Sequence, residues 1–134
     1  MKPEAPFRRD GVPRATLILT RAETHALLEM PECIDAVEHA FRALGEGTVA
    51  PPGVLATEVP GGGFHVKTAA LTLAAPYYAA KVNANFPDNP ARRGLPTIQG
   101  VLALFDSMTG ELLALMDSIV ITSTRTAAAT AVDG

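Results

Sequence analysis

Apolar residues recur along this chain with two different periods. In MPECIDAVEHAFRALGEG, Ile34, Val37, Phe41 and Leu44 follow one another at spacings of three, four and three, with Glu32, Asp35, Glu38 and Arg42 off the stripe. That pattern is one apolar face of a helix. Pro31 suits the first turn, where a missing amide hydrogen is harmless. Gly45 and Gly47 stop the helix. The stripe is expected to be core. Upstream, ATLIL over 15–19 is a short β-branched run and predicts a strand. Thr20 and Glu23 have the spacing of a capping box, so a short helix starts there and ends before Pro31.

Beyond residue 50 a strand-like pattern takes over. Strands are expected over 54–59 (VLATEV), 64–70 (FHVKTAA), 77–84 (YYAAKVNA), 97–105 (TIQGVLALF) and 112–116 (LLALM). Pro60-Gly61-Gly62-Gly63 reads as a hairpin turn, since its spacing matches neither phosphate-binding glycine pattern. The stretch 86–96 reads as a long loop that three prolines stiffen, which suits a binding loop. The 97–105 strand is apolar on both faces and therefore belongs in the middle of a sheet or at an interface. Residues 106–110 turn it into 112–116. TSTRTAAATAV predicts a helix over 122–132. The fold class is α+β, a mixed, mostly antiparallel sheet with flanking helices. The chain divides into a flexible leader over 1–15, a folded unit over 16–121 and a helical segment over 122–134.

Composition narrows the function classes. The chain has 134 residues, 48% of them hydrophobic and 19% charged, which suits one folded domain, or a fragment of a larger protein. A net charge of −3 leaves no electrostatic footprint for nucleic acid. Cys33 is the one cysteine, so no internal disulfide forms, and no Cys/His cluster has metal-ligand spacing. His25 and His39 read as helix-surface residues. The N-terminus lacks the apolar run of a secretory signal, and no stretch reaches the roughly 18 apolar residues of a membrane helix. A soluble cytoplasmic protein is the expectation.

Two cations stand among small or apolar neighbours, Lys81 in YYAAKVNA and Arg125 in TSTRTAAA. A buried charge needs a partner. That partner is either a substrate carboxylate, or a protein carboxylate or solvent. Alternation puts Tyr77, Ala79, Lys81 and Asn83 on one strand face, a plausible polar pocket wall. Lys67 lies on the face opposite Phe64, Val66 and Thr68, as a pocket residue or a solvated lysine. Arg125 is expected near the N-terminus of its helix, where free amides and the dipole favour an anion.

FPDNPARRGLPTIQGVLALFDSMTGELLALMDSIVITSTRTAAATA resembles the core signature of the ornithine cyclodeaminase/mu-crystallin family. An FP-x-N loop, a GLPT-x-x-G strand, a D-x-x-TG-x-x-L-A-L-x-D hairpin and an RTAA helix occur in the family's order and spacing, and the resemblance extends over roughly 16–132. It implies that 16–121 is a substrate-binding and dimerisation domain, that 122–134 is a truncated connecting helix, and that a dinucleotide-binding domain would follow. The family's NAD(P)-dependent members convert ornithine to proline with release of ammonia, oxidise amino acids, or reduce cyclic ketimines. By position, Lys81 resembles the catalytic lysine near the reacting carbon. Arg125 resembles the arginine that binds the substrate carboxylate, and Thr97 resembles a substrate- or cofactor-proximal threonine.

The pattern departs from the family in two places. Gly53 stands where many members have a further carboxylate-binding arginine, and Lys67 could supply that charge. No G-x-G-x-x-G occurs in the 134 residues, so no cofactor-binding residue is assigned. NAD or NADP is expected to serve the complete family enzyme and not to bind this chain alone. The expected ligand is a small amino-acid or imino-acid carboxylate. The chain is expected to form a homodimer that buries the 97–105 and 112–116 strands, and to be inactive without a nucleotide-binding partner. The alternatives are a non-catalytic carboxylate-binding dimer and an inactive gene fragment.

Overall fold

A computed structural model of the chain describes residues 15–72 and 75–133. The leader expected over the first fifteen residues lies, but for its last residue, outside the described residues. The elements run β1 (Leu17–Leu19), α1 (Arg21–Leu27), α2 (Met30–Gly45), β2 (Gly53–Val59), β3 (Gly62–Thr72), β4 (Pro76–Asn85), α3 (Asn89–Arg93), β5 (Ile98–Asp106), β6 (Leu112–Asp117) and α4 (Ser118–Asp133). The six strands form one sheet in the order β1-β6-β5-β4-β3-β2. Only β1 and β6 pair in parallel; the other neighbours are antiparallel. The mixed, mostly antiparallel α+β architecture is as the patterning implies.

Local chemistry sets the element ends. Thr20 caps α1 through the expected box, its Oγ1 accepting from Glu23 N–H at 3.2 Å while Glu23 Oε1 accepts from Thr20 N–H at 3.1 Å. Pro31 sits in the first turn of α2. The β2–β3 hairpin pairs Val59 with Gly62. Its turn is therefore only Pro60-Gly61, with Gly61 at φ 87°, a conformation that favours glycine. Asp106 shapes the β5–β6 turn, its Oδ1 accepting from Met108 N–H at 2.7 Å and Thr109 N–H at 3.0 Å.

Three expectations are corrected. The stripe on α2 is not all core: Phe41 and Leu44 are 47% and 46% exposed, while Ala43 is buried. The helix packs on α4, and the covered side takes in Ile34, Ala36, Val37 and Ala40, all half-buried, with Ala43. The 86–96 loop contains the short helix α3, which Gly94 ends in the left-handed region. The helix expected over 122–132 begins four residues earlier, at Ser118. Asp117 starts it: Oδ2 accepts from Ile119 N–H at 3.1 Å and Val120 N–H at 3.3 Å, satisfying amides that the first turn leaves unpaired. Asp117 also pairs with Arg21 of α1 at 3.3 Å, tying three elements together.

α4 lies on β5 and the adjoining part of β4. Its first residue, Ser118, is wholly buried, and Ser118 Oγ donates to Asn83 Oδ1 of β4 at 2.5 Å. Gly100 of β5, directly opposite Asn83, leaves the room. A Cβ there would lie 2.1 Å from Asn83 Oδ1, 2.3 Å from the Val82 carbonyl oxygen and 2.6 Å from Ser118 Oγ. The other sheet face carries Phe64, Val66, Tyr78, Val82, Val101 and Phe105, with the Tyr78 and Phe105 rings 5.9 Å apart, edge to face. No described helix lies on that face among the packing contacts of the sheet. Among the described residues no helix is long and apolar enough to cross a membrane.

Gly100→Ala should therefore lower stability by about 3 kcal/mol, the upper range for overpacking, in urea unfolding monitored by circular dichroism. A loss below about 0.5 kcal/mol, typical of an open surface position, would show that α4 does not dock on β5 as described.

Candidate functional site

The site grows out of strand register. His65 and Lys67 on β3 stand opposite Asn83 and Lys81 on β4. On β5, Gly100 and Leu102 stand opposite the same two β4 residues, and Ile98 opposite Asn85. Opposed residues share a face, and the Asn83–Ser118 bond shows that this is the face carrying α4. There His65, Lys67, Lys81, Asn83, Asn85 and Ile98 line a cleft of about 200 Å³.

Lys81 is its centre. The side chain is half-buried, and Nζ donates to Thr122 Oγ1 of α4 at 3.4 Å, a long bond near the limit of the interaction. Burial holds the ammonium below its usual range. The positive charges of Arg125 and, to a smaller degree, Lys67 push the same way. Lys67 is the direct cross-strand partner of Lys81, and like charges in that relation repel. Among the described residues the ion pairs are Arg21–Asp117, Arg42–Glu38 and Arg92–Asp88. None of them engages Lys67, Lys81 or Arg125, and no carboxylate lines the cleft.

The residues singled out in the sequence are placed unequally. Lys81 and Lys67 line the cleft. Arg125 acts on Lys81 electrostatically from α4 but also lines a second, apolar groove with Leu28, Cys33, Ala36, Val37, Ile121 and Thr124. It is exposed, as is Lys67, so the premise of a buried charge holds only for Lys81. Arg125 also lies two turns into α4 rather than at its N-terminus, and the first-turn amides of Ile119 and Val120 already bond Asp117. Arg125 therefore does not sit beside a free helix end, and what it contributes is its charge toward Lys81. Thr97 precedes β5 and is absent from the cleft lining; its carbonyl accepts from Phe86 N–H at 2.8 Å.

Several residues were missed. His65 follows from alternation, two positions before Lys67 on the same strand face. Thr122 and Ser118 needed the true start of α4. Asn85 also lines the cleft, its Oδ1 buried without a hydrogen-bond partner among the described residues. A Cβ at Gly53 would lie 2.5 Å from Thr68 Oγ1, a side-chain atom that rotation can move aside, so space alone does not require glycine here. Its cross-strand partner is Thr68, on the face away from Lys67. Burial and the neighbouring Glu32 raise the Cys33 thiol, so it packs as a neutral side chain.

Among the described residues no group of histidine, cysteine and acidic side chains could hold a metal. The described residues do not fit the phosphate cradle of a dinucleotide fold. Gly61, Gly62 and Gly63 belong to an antiparallel hairpin, and the single parallel pair, β1–β6, is not joined by one crossover helix.

Arg125→Ala removes one of the charges that depress Lys81, so the Lys81 pKa should rise, though burial will keep it below that of a free lysine. Titration of the Nζ resonance by NMR reads this directly. An unchanged pKa would place Arg125 too far away to share a site with Lys81.

Comparison with known proteins gives a consistent picture. The model of the ornithine cyclodeaminase/mu-crystallin family matches residues 14–134. The solved structure of an archaeal alanine dehydrogenase dimer with bound NAD superposes with a TM-score of 0.78 at 38% identity, covering 85% of this chain and 34% of that one. The Thermococcus litoralis Delta(1)-pyrroline-2-carboxylate reductase, in complex with NADH and L-proline, superposes with a TM-score of 0.74 at 33% identity, covering 86% and 36%. Delta(1)-pyrroline-2-carboxylate reductase 2 of Burkholderia ambifaria is 34% identical over 110 residues, covering 82% of this chain and 34% of that protein. The chain thus spans about a third of the length of the relatives it matches. A family match over nearly the whole chain, joined to the same fold in solved relatives, establishes that this chain belongs to the ornithine cyclodeaminase/mu-crystallin family.

Proposed function

We propose that this chain is the substrate-binding and dimerisation part of an NAD(P)-dependent enzyme that acts on a small amino acid or cyclic imino acid. The observation that carries the reading is that Lys67 and Lys81 line one small cleft while Arg125 acts on Lys81 from α4, with no protein carboxylate paired to any of the three among the described residues. Repulsion among three cations is relieved by an anion placed between them. A carboxylate does this, and a guanidinium adds a bidentate grip.

In this reading Arg125 binds the substrate carboxylate and Lys67 supplies a further charge from β3. Lys81 is the catalytic residue, held by Thr122 with its ammonium toward the substrate nitrogen and reacting carbon. Its depressed pKa lets its ammonium give up a proton more readily than that of an ordinary lysine. Thr97 is assigned a contact with substrate or cofactor from the far end of β5. The nicotinamide cofactor would be held by residues outside those described, so no step here runs through it.

The helix-free sheet face is the proposed dimer surface. Leu55, Phe64 and Val101 are 64%, 38% and 41% exposed on it, and a two-fold pairing of such a face is self-complementary. Light scattering at micromolar concentration should give twice the chain mass. A monomer would refute the dimer.

Binding can be measured apart from turnover. Titration of L-proline or pyrrole-2-carboxylate, followed by NMR, should saturate and shift the amides of β3, β4 and α4. Lys81→Ala and Arg125→Ala should each weaken binding tenfold or more, about 1.4 kcal/mol. Because the charged form of Lys81 attracts the carboxylate, affinity should fall as pH rises through its lowered pKa. Binding unaffected by either substitution would defeat the proposal.

A further inference from the structure

Lys67 and Lys81 line the cleft and Arg125 adds its charge to Lys81 from α4, more positive charge than one carboxylate needs. Lys81 faces Arg125 on its α4 side and Lys67 on its β3 side. Lys67 has His65 two residues away on the same strand face, and His65 also lines the cleft. Lys81 thus has the charge of Arg125 on its α4 side, while Lys67, with the His65 imidazole beside it as a hydrogen-bonding group, faces it from β3. Directly opposed cross-strand side chains start roughly 5 Å apart at Cβ, which matches the separation of two anionic groups on one short carbon chain. The volume, about 200 Å³, lies below the roughly 300–1,000 Å³ of pockets for drug-sized ligands and suits a small acid.

We propose that the preferred substrate class is a short dicarboxylic amino or imino acid, with one carboxylate between Arg125 and Lys81 and the second on Lys67 and His65. This rests on the carboxylate reading above and narrows it. A diamino acid is disfavoured by the same geometry. Its distal ammonium would sit against Lys67, and no acidic side chain among the cleft-lining residues offers it a partner.

Three amino acids with the same α-carbon groups separate the cases: L-aspartate, L-alanine and L-ornithine, titrated into the 134-residue chain by isothermal calorimetry. Aspartate should bind at least tenfold tighter than alanine, and ornithine weakest. Lys67→Gln should bring the aspartate-to-alanine ratio close to one, and Lys67→Arg should restore it. Equal affinity for aspartate and alanine, or preference for ornithine, overturns the proposal while leaving the carboxylate site standing. Inorganic phosphate competing as well as aspartate overturns it too, because the cluster would then be an unselective anion patch. If none of the three amino acids binds, the proposal and the carboxylate reading fall together.

Discussion

The hydrogen bond from Ser118 to Asn83, made over the bare backbone of Gly100, decides where everything else in the site lies. It fixes the first turn of α4 on β4 and β5. Thr122 follows one turn later and meets Lys81, and Arg125 follows that. Both partners of the bond are polar and Ser118 is wholly buried, so breaking it would strand at least one unpaired polar group. Asp117, one residue earlier, holds the same helix end to α1 through Arg21. The junction between β6 and α4 thus places Thr122 and Arg125 relative to Lys81, while the β3–β4 register places Lys67.

Charge explains why the site is a site. Lys67 and Lys81 are direct cross-strand partners, an arrangement that costs stability without an anion. Lys81 is further disfavoured as an ammonium by its own burial. Surface cations can be solvated, and Lys67 and Arg125 are exposed enough to benefit. Lys81 cannot escape in the same way. Its position between two other cations is unfavourable in the free protein, and on the proposed reading a bound carboxylate would relieve it and stabilise this region.

Much of this was legible in the sequence. Alternation alone put Lys81 with Asn83 on one strand face, and the Thr20–Glu23 spacing gave the first helix start. The five strands beyond residue 50 all exist, each longer than or offset slightly from the expected range. What was not legible has physical reasons. The alanine run over 127–129 marks helix propensity but not helix start, which a side chain at Asp117 sets by capping. That four-residue error moved Arg125 from a helix end to its interior and hid Ser118 and Thr122. The stripe on α2 announced an apolar face but not what covers it: Ile34 and Val37 are half-covered, while Phe41 and Leu44 remain open. Alternation along β3 puts His65 on the face of Lys67, but only the β3–β4 register brings it beside Asn83.

The most direct test of the central claim is a crystal structure of the chain with pyrrole-2-carboxylate. The account predicts carboxylate oxygens within hydrogen-bond distance of Lys81 Nζ and the Arg125 guanidinium, in the cleft that His65 and Lys67 also line. A ligand seated instead in the apolar groove between α2 and α4, or a carboxylate turned away from Lys81, would contradict it.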